Sequence, residues 1–394
     1  VKQSVYLSAP GLICCAGQNK NELYESCLNG YQGGMSLFEI PDSSMKFPTG
    51  QIPWEMPKVA FPELTDPIAY AGETRIIRII NAALEQLRPE IEKAISSYGT
   101  EKIGVCLGSC DNGSESTLMF HRALLKNGTF PQDYALRFQS ASYPAEFISR
   151  KFGLSGPVFT VATACSSGAS AIVRGAELIR AGVCNAVIAG GADVVSAAAM
   201  AGFYSLEALS NSLCNPFSKN RKGINLGEGT AFFLLDTAEN SPVELLGTGE
   251  SADAFHMTAP NEIGQAKAIN AALLDAEVNP EQIGYVNLHG TGTILNDKTE
   301  SMAMKMVFGD ALPLTSSTKP ITGHTQGAAG ALETAICWMV LTEKKGLPVH
   351  CWDGVRDDEI LLLPGESLQN IPSICMSNSF AFGGCNVSLI LGRK

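Results

Sequence analysis

Three short loops carry residue types that could do chemistry together. In Thr163–Gly168 (TACSSG) an apolar stretch runs into a turn with Cys165 at its apex, and small residues suited to a helix follow at once. A cysteine at a helix N-terminus faces unpaired backbone N–H groups and the positive end of the dipole, which favours the nucleophilic thiolate. Its own N–H, beside the reacting carbon, suits an oxyanion. Any one of the twelve cysteines is better read as a small buried hydrophobe, as Cys106, Cys184 and Cys337 are in their apolar runs. The position at a turn before a helix reverses that reading for Cys165 alone.

Two of only five histidines lie in Gly/Thr-rich loops: His289 in HGTGT (289–293) and His324 in GHTQG (323–327). A lone histidine is usually a satisfied core or surface group, but two so placed at element ends suggest chemistry. His121 and His350 read as incidental, and His256 is left open. Lys319 precedes His324 by five residues, and Glu333 follows in the next helical stretch. They read equally as a buried pair or as a surface pair. Finally, Asn378–Asn386 (NSFAFGGCN) sets Phe380 and Phe382 beside Gly383-Gly384, which suits a gate whose backbone N–H faces a substrate, or a loop that plugs the core.

The elements that must position these loops follow an α/β pattern of short β-rich runs and small-residue helical stretches. Strands are expected over 103–108, 157–162, 186–189 (ending at Gly190-Gly191), 230–235, 243–247, 284–288 and 386–391. Helices are expected over 166–181, 264–276 and 327–342. A polar turn at 236–242 divides the chain, giving halves 1–240 (with the cysteine) and 241–394 (with both histidines and the Phe-Gly-Gly loop). The two halves share a strand–loop–helix style without a visible sequence repeat.

Composition narrows the function. The 394 residues are 45% hydrophobic and 17% charged, with net charge −11 and no Lys/Arg-rich block, so nucleic-acid binding lacks electrostatic support. The scattered cysteines form neither a CxxC pair nor a zinc-ligand spacing, and a reducing compartment fits them. Val5-Tyr6-Leu7 and Leu12–Ala16 read as a strand and turn, not a signal peptide, because Pro10-Gly11 interrupts them. With no run of 18 apolar residues, no membrane span is expected. The reading is a soluble, cytoplasmic protein.

Six segments in order resemble the β-ketoacyl-[acyl-carrier-protein] synthase family in its Cys–His–His branch: TACSSG, NPFSKNRKGINLGEG (215–229), DAFHMTAP (253–260), HGTGT, STKPITGHTQGAAGALE (317–333) and NSFAFGGCN. The resemblance implies a thiolase-like, five-layer αβαβα fold of two similar halves. It implies that Cys165 takes an acyl group from an acyl carrier protein. Malonyl-carrier then loses CO2 and its carbanion attacks the acyl-Cys165 carbonyl. His289 and His324 would stabilise the enolate, while Lys319 and Glu333 position and polarise the network. Cys165 and Phe382 would supply oxyanion-hole N–H groups, Phe380, Phe382, Gly383 and Gly384 the gate. Thr291, Thr293, Cys110 and Asp111 would line the substrate path. No metal or separate cofactor is implied, since phosphopantetheine arrives on the carrier.

This chain departs from the family pattern at Ala381 (usually Gly), Cys385 (usually Thr), Ser218 (usually Asp), Cys110-Asp111-Asn112, and a short stretch between Pro260 and Gly284. Ala381 implies a stiffer gate, and an acidic residue at 111 is costly beside an alkyl chain. The opening segment and short length resemble ketosynthases of aryl-polyene or type II polyketide clusters. Such enzymes act as homodimers or pair with a chain-length-factor homologue. Rival readings are a silent chain-length factor, a thiolase using Cys385 as second cysteine, and the Cys–His–Asn branch. Cys165 with both histidines and Lys319 speaks against the first, the NSFAFGGCN context and the paired His289 and His324 motifs against the second, and GHTQGAAG against the third.

Overall fold

The computed structural model describes residues 2–41, 43–57, 59, 74–110, 113–132, 134–238, 241–253, 256–362 and 371–393. The first half contains strands β1 (Tyr6–Leu7), β2 (Gly11–Cys14), β3 (Ser36–Glu39), β4 (Lys46–Thr49), β5 (Ile103–Gly108), β6 (Val158–Val161), β7 (Ala186–Asp193) and β8 (Gly229–Asp236). Its helices are α1 (Lys20–Asn29), α2 (Arg75–Tyr98), α3 (Ser114–Asn127), α4 (Tyr143–Phe152), α5 (Ser167–Arg180) and α6 (Ala197–Ser205). The second half adds β9 (Val243–Ala252), β10 (Tyr285–Asn287), β11 (Leu314–Ser316), β12 (Ile374–Phe380) and β13 (Cys385–Arg393). With them come α7 (Glu262–Ala276), α8 (Ile294–Phe308), α9 (Lys319–Thr322) and α10 (Ala329–Glu343).

Strand order exposes a symmetry that residue identities hide. The first half reads β6-β5-β7-β8-β2 and the second β11-β10-β12-β13-β9. In each, the first two pairings are parallel and the last two antiparallel. Strand β1 pairs with β8 on one side and β9 on the other, so the two parts of the sheet join through a two-residue strand.

Helices α5 and α10 lie between the halves, against β7 and β5 on one side and β12 on the other. Every residue from Ala329 to Leu341 is buried, as are most of α5, which fits helices sandwiched between two sheets. Amphipathic α2, with α4, covers the outer face of the first sheet, and α7 and α8 cover the second. This is the expected five-layer α/β arrangement. The middle helices touch at glycine: a Cβ on Gly168 would lie 2.8 Å from the Gly327 carbonyl oxygen, and one on Gly330 2.8 Å from Ala169 Cβ.

Most expected elements form within a few residues of their predicted bounds. Strand β7, however, continues through Gly190-Gly191 to Asp193. Those glycines do not end the strand but let neighbours close in: a Cβ at 190 would meet the Ala231 carbonyl oxygen at 2.0 Å. Strand β9 likewise runs to Ala252, beyond its predicted end at 247, because it pairs with β13 along that length.

Candidate active site

Cys165 follows β6 on a 3-10 turn, Ala164–Ser166, that leads straight into α5. Ala164 takes φ +50°, and Gln326 takes φ +52° at the matching point before α10. Each left-handed residue costs about 1–2 kcal/mol, so the surroundings must hold it. Around Cys165 hydroxyls do so: Ser166 Oγ donates to the Thr163 carbonyl (2.8 Å), and Ser167 Oγ accepts from the Thr163 N–H (2.9 Å). In the second half, His289 follows β10 and His324 follows β11, where the first half has Cys110 and Cys165.

The Cys165 sulfur and one ring nitrogen of each histidine lie within 4.8 Å of one another. The imidazoles meet edge to face, with centroids 5.4 Å apart. Lys319, 1% exposed, forms a buried ion pair with Glu333 and donates to the His289 carbonyl, so the surface-pair alternative fails. Its Nζ also lies 3.5 Å from His289 Nδ1. An ammonium only donates, which assigns Nδ1 as acceptor and leaves the ring proton on Nε2.

Burial, and then the Lys319 charge, hold both imidazoles well below the usual histidine range, so both are neutral. Burial pushes the Cys165 thiol up to about 12, against the pull of the Lys319 charge and a hydrogen bond from the Phe382 amide. This corrects the thiolate expected from the helix N-terminus, since desolvation of the enclosed sulfur outweighs the favourable field. The resting group is a thiol held beside two neutral imidazoles. Glu333 is raised to about 7, chiefly by burial.

A cleft of about 240 Å³ leads to this group, lined by Cys165, both histidines, Thr291, Thr293 and Phe380 among others. The Thr291 and Thr293 hydroxyls lie 2.9 Å apart at its wall. Phe382 and Phe203, ring centroids 6.1 Å apart, border both this cleft and a second, more open one of about 510 Å³ that is also lined by Cys110, Ser114, Ser196 and Gln326. Asp111 lies outside the described residues. Gly383 and Gly384 take φ +88° and +75°, and the Gly383 N–H donates to the Met257 carbonyl at 2.7 Å. Ala381 is not among the positive-φ residues, so its methyl fits this backbone without strain.

Several supporting groups went unnoticed in the sequence. Asp193, fully buried at the end of β7, accepts from Ser109 Oγ (2.6 Å), the Cys110 N–H (2.9 Å) and the Gly327 N–H (2.5 Å), tying three loops together. Glu300 on α8 accepts the His289 and Gly290 N–H groups, each at 2.8 Å, and burial raises it to about 8. His350 is not incidental: it is buried, and its Nδ1 accepts the Ser317 N–H at 3.0 Å, two residues from Lys319. His121 is exposed, and His256 accepts the Thr258 and Ala259 N–H groups in its own loop. Ser218 donates to Asp353 at 2.7 Å, so a carboxylate sits near by from another loop.

Residues 11–241 match the beta-ketoacyl synthase N-terminal domain and residues 243–350 its C-terminal domain. The chain is 31% identical to 3-oxoacyl-[acyl-carrier-protein] synthase 2 of Coxiella burnetii over 417 residues, covering 100% of this chain and 99% of that one. It is 36% identical to nodulation protein E of Rhizobium meliloti (strain 1021), covering 73% of each. Among solved structures it resembles the ketosynthase ApeO, in complex with its chain length factor ApeC, from Xenorhabdus doucetiae. That match has TM-score 0.91 and 39% identity and covers 100% of this chain and 98% of that one. Both domains and the full-length relative agree: this chain belongs to the β-ketoacyl synthase family of condensing acyltransferases.

Proposed function

We propose that Cys165 is the acyl acceptor in β-ketoacyl synthesis on an acyl carrier protein. The observation that carries this assignment is one buried thiol with two neutral imidazoles within 4.8 Å and the Phe382 amide on its sulfur. In the first stage the sulfur attacks the carrier's thioester carbonyl. The amides of Cys165 and Phe382 take the oxyanion. The bond to the pantetheine sulfur breaks, and the thiol proton ends on that leaving sulfur, so the exchange needs no net proton. A raised thiol pKa is compatible with this balance.

In the second stage a malonyl thioester loses CO2 and its bond electrons become an enolate. N–H groups of His289 and His324 stabilise the enolate oxygen. Neutral rings suit this better than charged ones, because they donate without protonating the carbanion. The α-carbon attacks the acyl-Cys165 carbonyl, and the sulfur leaves and regains a proton. Lys319 holds His289 in its donor tautomer, and Glu333 balances the Lys319 charge. Phosphopantetheine belongs to the carrier, and no separate cofactor takes part.

The second cleft would receive the acyl chain once Phe382 and Phe203 part. Its serines and Gln326 suit an unsaturated or oxygenated chain, which favours polyketide or polyene elongation over saturated fatty acids. By the Xenorhabdus complex, the partner subunit is a chain-length-factor homologue. We infer two halves, 1–240 and 241–394, each supplying loops to the site. The test is intact mass after incubation with an acyl carrier thioester. The acyl mass is expected on the wild type and absent from Cys165→Ala, with malonyl-carrier then releasing a β-ketoacyl product. No adduct, with or without a co-expressed homologue, would identify a silent partner instead.

A further inference from the structure

We propose that Cys165, His289 and His324 form a three-ligand site for a soft divalent cation such as Zn2+, which would block the nucleophile. The sequence conceals it, since the ligands stand 124 and 35 residues apart, far outside any zinc-binding spacing. In space one sulfur and two imidazole nitrogens lie within 4.8 Å of one another, and all three side chains are buried. Zinc bonds of ~2.3 Å to sulfur and ~2.0–2.1 Å to nitrogen require the ligand atoms to draw together by about 1 Å. Rotation of the His324 ring supplies part of that. His324 Nδ1 has no hydrogen-bond partner and is buried, so that ring is not locked by a competing bond.

The chemistry of the donors also fits. One sulfur and two nitrogens make a borderline-soft set, and three protein ligands with a fourth position facing the cleft is the pattern of an open zinc site. On binding, Cys–SH loses its proton to solvent and His289 shifts its ring proton from Nε2 to Nδ1, giving up the contact with Lys319 Nζ, so Cys–SH and Zn2+ give Cys–S–Zn and one proton released. Lys319 repels the incoming cation, while the buried side chains of Glu333, its ion-pair partner, and Asp193, around the same loops, offset it. Such an ion is no cofactor. It occupies the sulfur lone pair that acyl transfer needs.

The test reads the metal directly and stays independent of any condensing activity. Purified protein is titrated with Co2+ while the sulfur-to-cobalt charge-transfer band is recorded. Alkylation of Cys165 by iodoacetamide is followed by intact mass with and without Zn2+. One Co2+ per chain is expected, with the band lost in Cys165→Ala and kept in Cys351→Ser. In His324→Asn binding should weaken by at least ~10-fold, the loss that even a supporting partner causes. Zn2+ should protect Cys165 from alkylation, and a chelator should restore reactivity. A band that survives Cys165→Ala, or Cys165 alkylated equally fast with Zn2+, would overturn the proposal.

Discussion

Lys319 and Glu333 sit side by side with 1% and 5% of their side chains exposed, so each compensates the other's charge inside a core. Removing one strands the other. Lys319→Ala is expected to lower stability by about 3–5 kcal/mol, the usual result of leaving a buried charge unpaired. Lys319→Met with Glu333→Leu should regain most of that loss and still fail in condensation, because His289 loses the donor that sets its tautomer. Denaturant midpoints of the two variants, beside a product assay, check both halves of the statement. At this scale the sequence was legible where glycine and threonine marked a loop. Cys165, His289, His324 and Lys319 announced themselves so. Asp193 and Glu300 did not, because an acid that caps backbone N–H groups of a distant loop has no local signal. The raised thiol of Cys165 was also illegible, since its burial is made by loops from both halves.

Between elements, the contact of α5 with α10 sets how closely the cysteine and histidine loops can approach. A methyl on Gly168 would press on the Gly327 backbone, Ala331 N (3.0 Å) and Ala331 Cβ (3.1 Å), none of which is the end of a flexible side chain. Gly168→Ala should therefore cost about 1–3 kcal/mol through overpacking. Gly202→Ala, at a helical site with nothing within 4 Å, should be neutral or stabilising by up to ~1 kcal/mol. Thermal or denaturant unfolding of the pair separates crowding from chain entropy, and equal effects would refute the tight crossing. Helices α5 and α10 were readable as Ala/Gly-rich stretches. That β7 runs through a glycine pair was not, since the reason lies in the backbone packed against it.

For the whole molecule, burying neutral histidines links folding to pH. The folded pKa values of His289 and His324 lie well below 6.5, so their contribution to stability is present above pH 6.5. It is lost as pH falls, because the unfolded chain takes up protons that the folded one refuses. Glu300 and Glu333, raised to about 8 and 7, act in the opposite sense: they favour the fold below pH ~4.5 and lose that contribution as pH rises through 7 to 8. The wild-type slope mixes both kinds. The difference between wild type and His324→Asn isolates one proton, and should reach ~1.4 kcal/mol per pH unit well below pH 6.5. Urea midpoints at pH 7.5, 6.5 and 5.5 measure it, and parallel curves would show that His324 titrates normally in the fold. The α/β class was legible from alternating runs, but the matched strand order was not: only pairing reveals it.

The seam made by β1 has a consequence for how the chain is born. Tyr6 and Leu7 find their strand partners in Leu235, Asp236, Val243 and Glu244. A ribosome adding roughly 5–20 residues per second therefore makes β1 wait about 10–50 s for these strand partners. Throughout that interval β1 waits without the ladder it will join, and the last step of closing the first half is also the first step of starting the second.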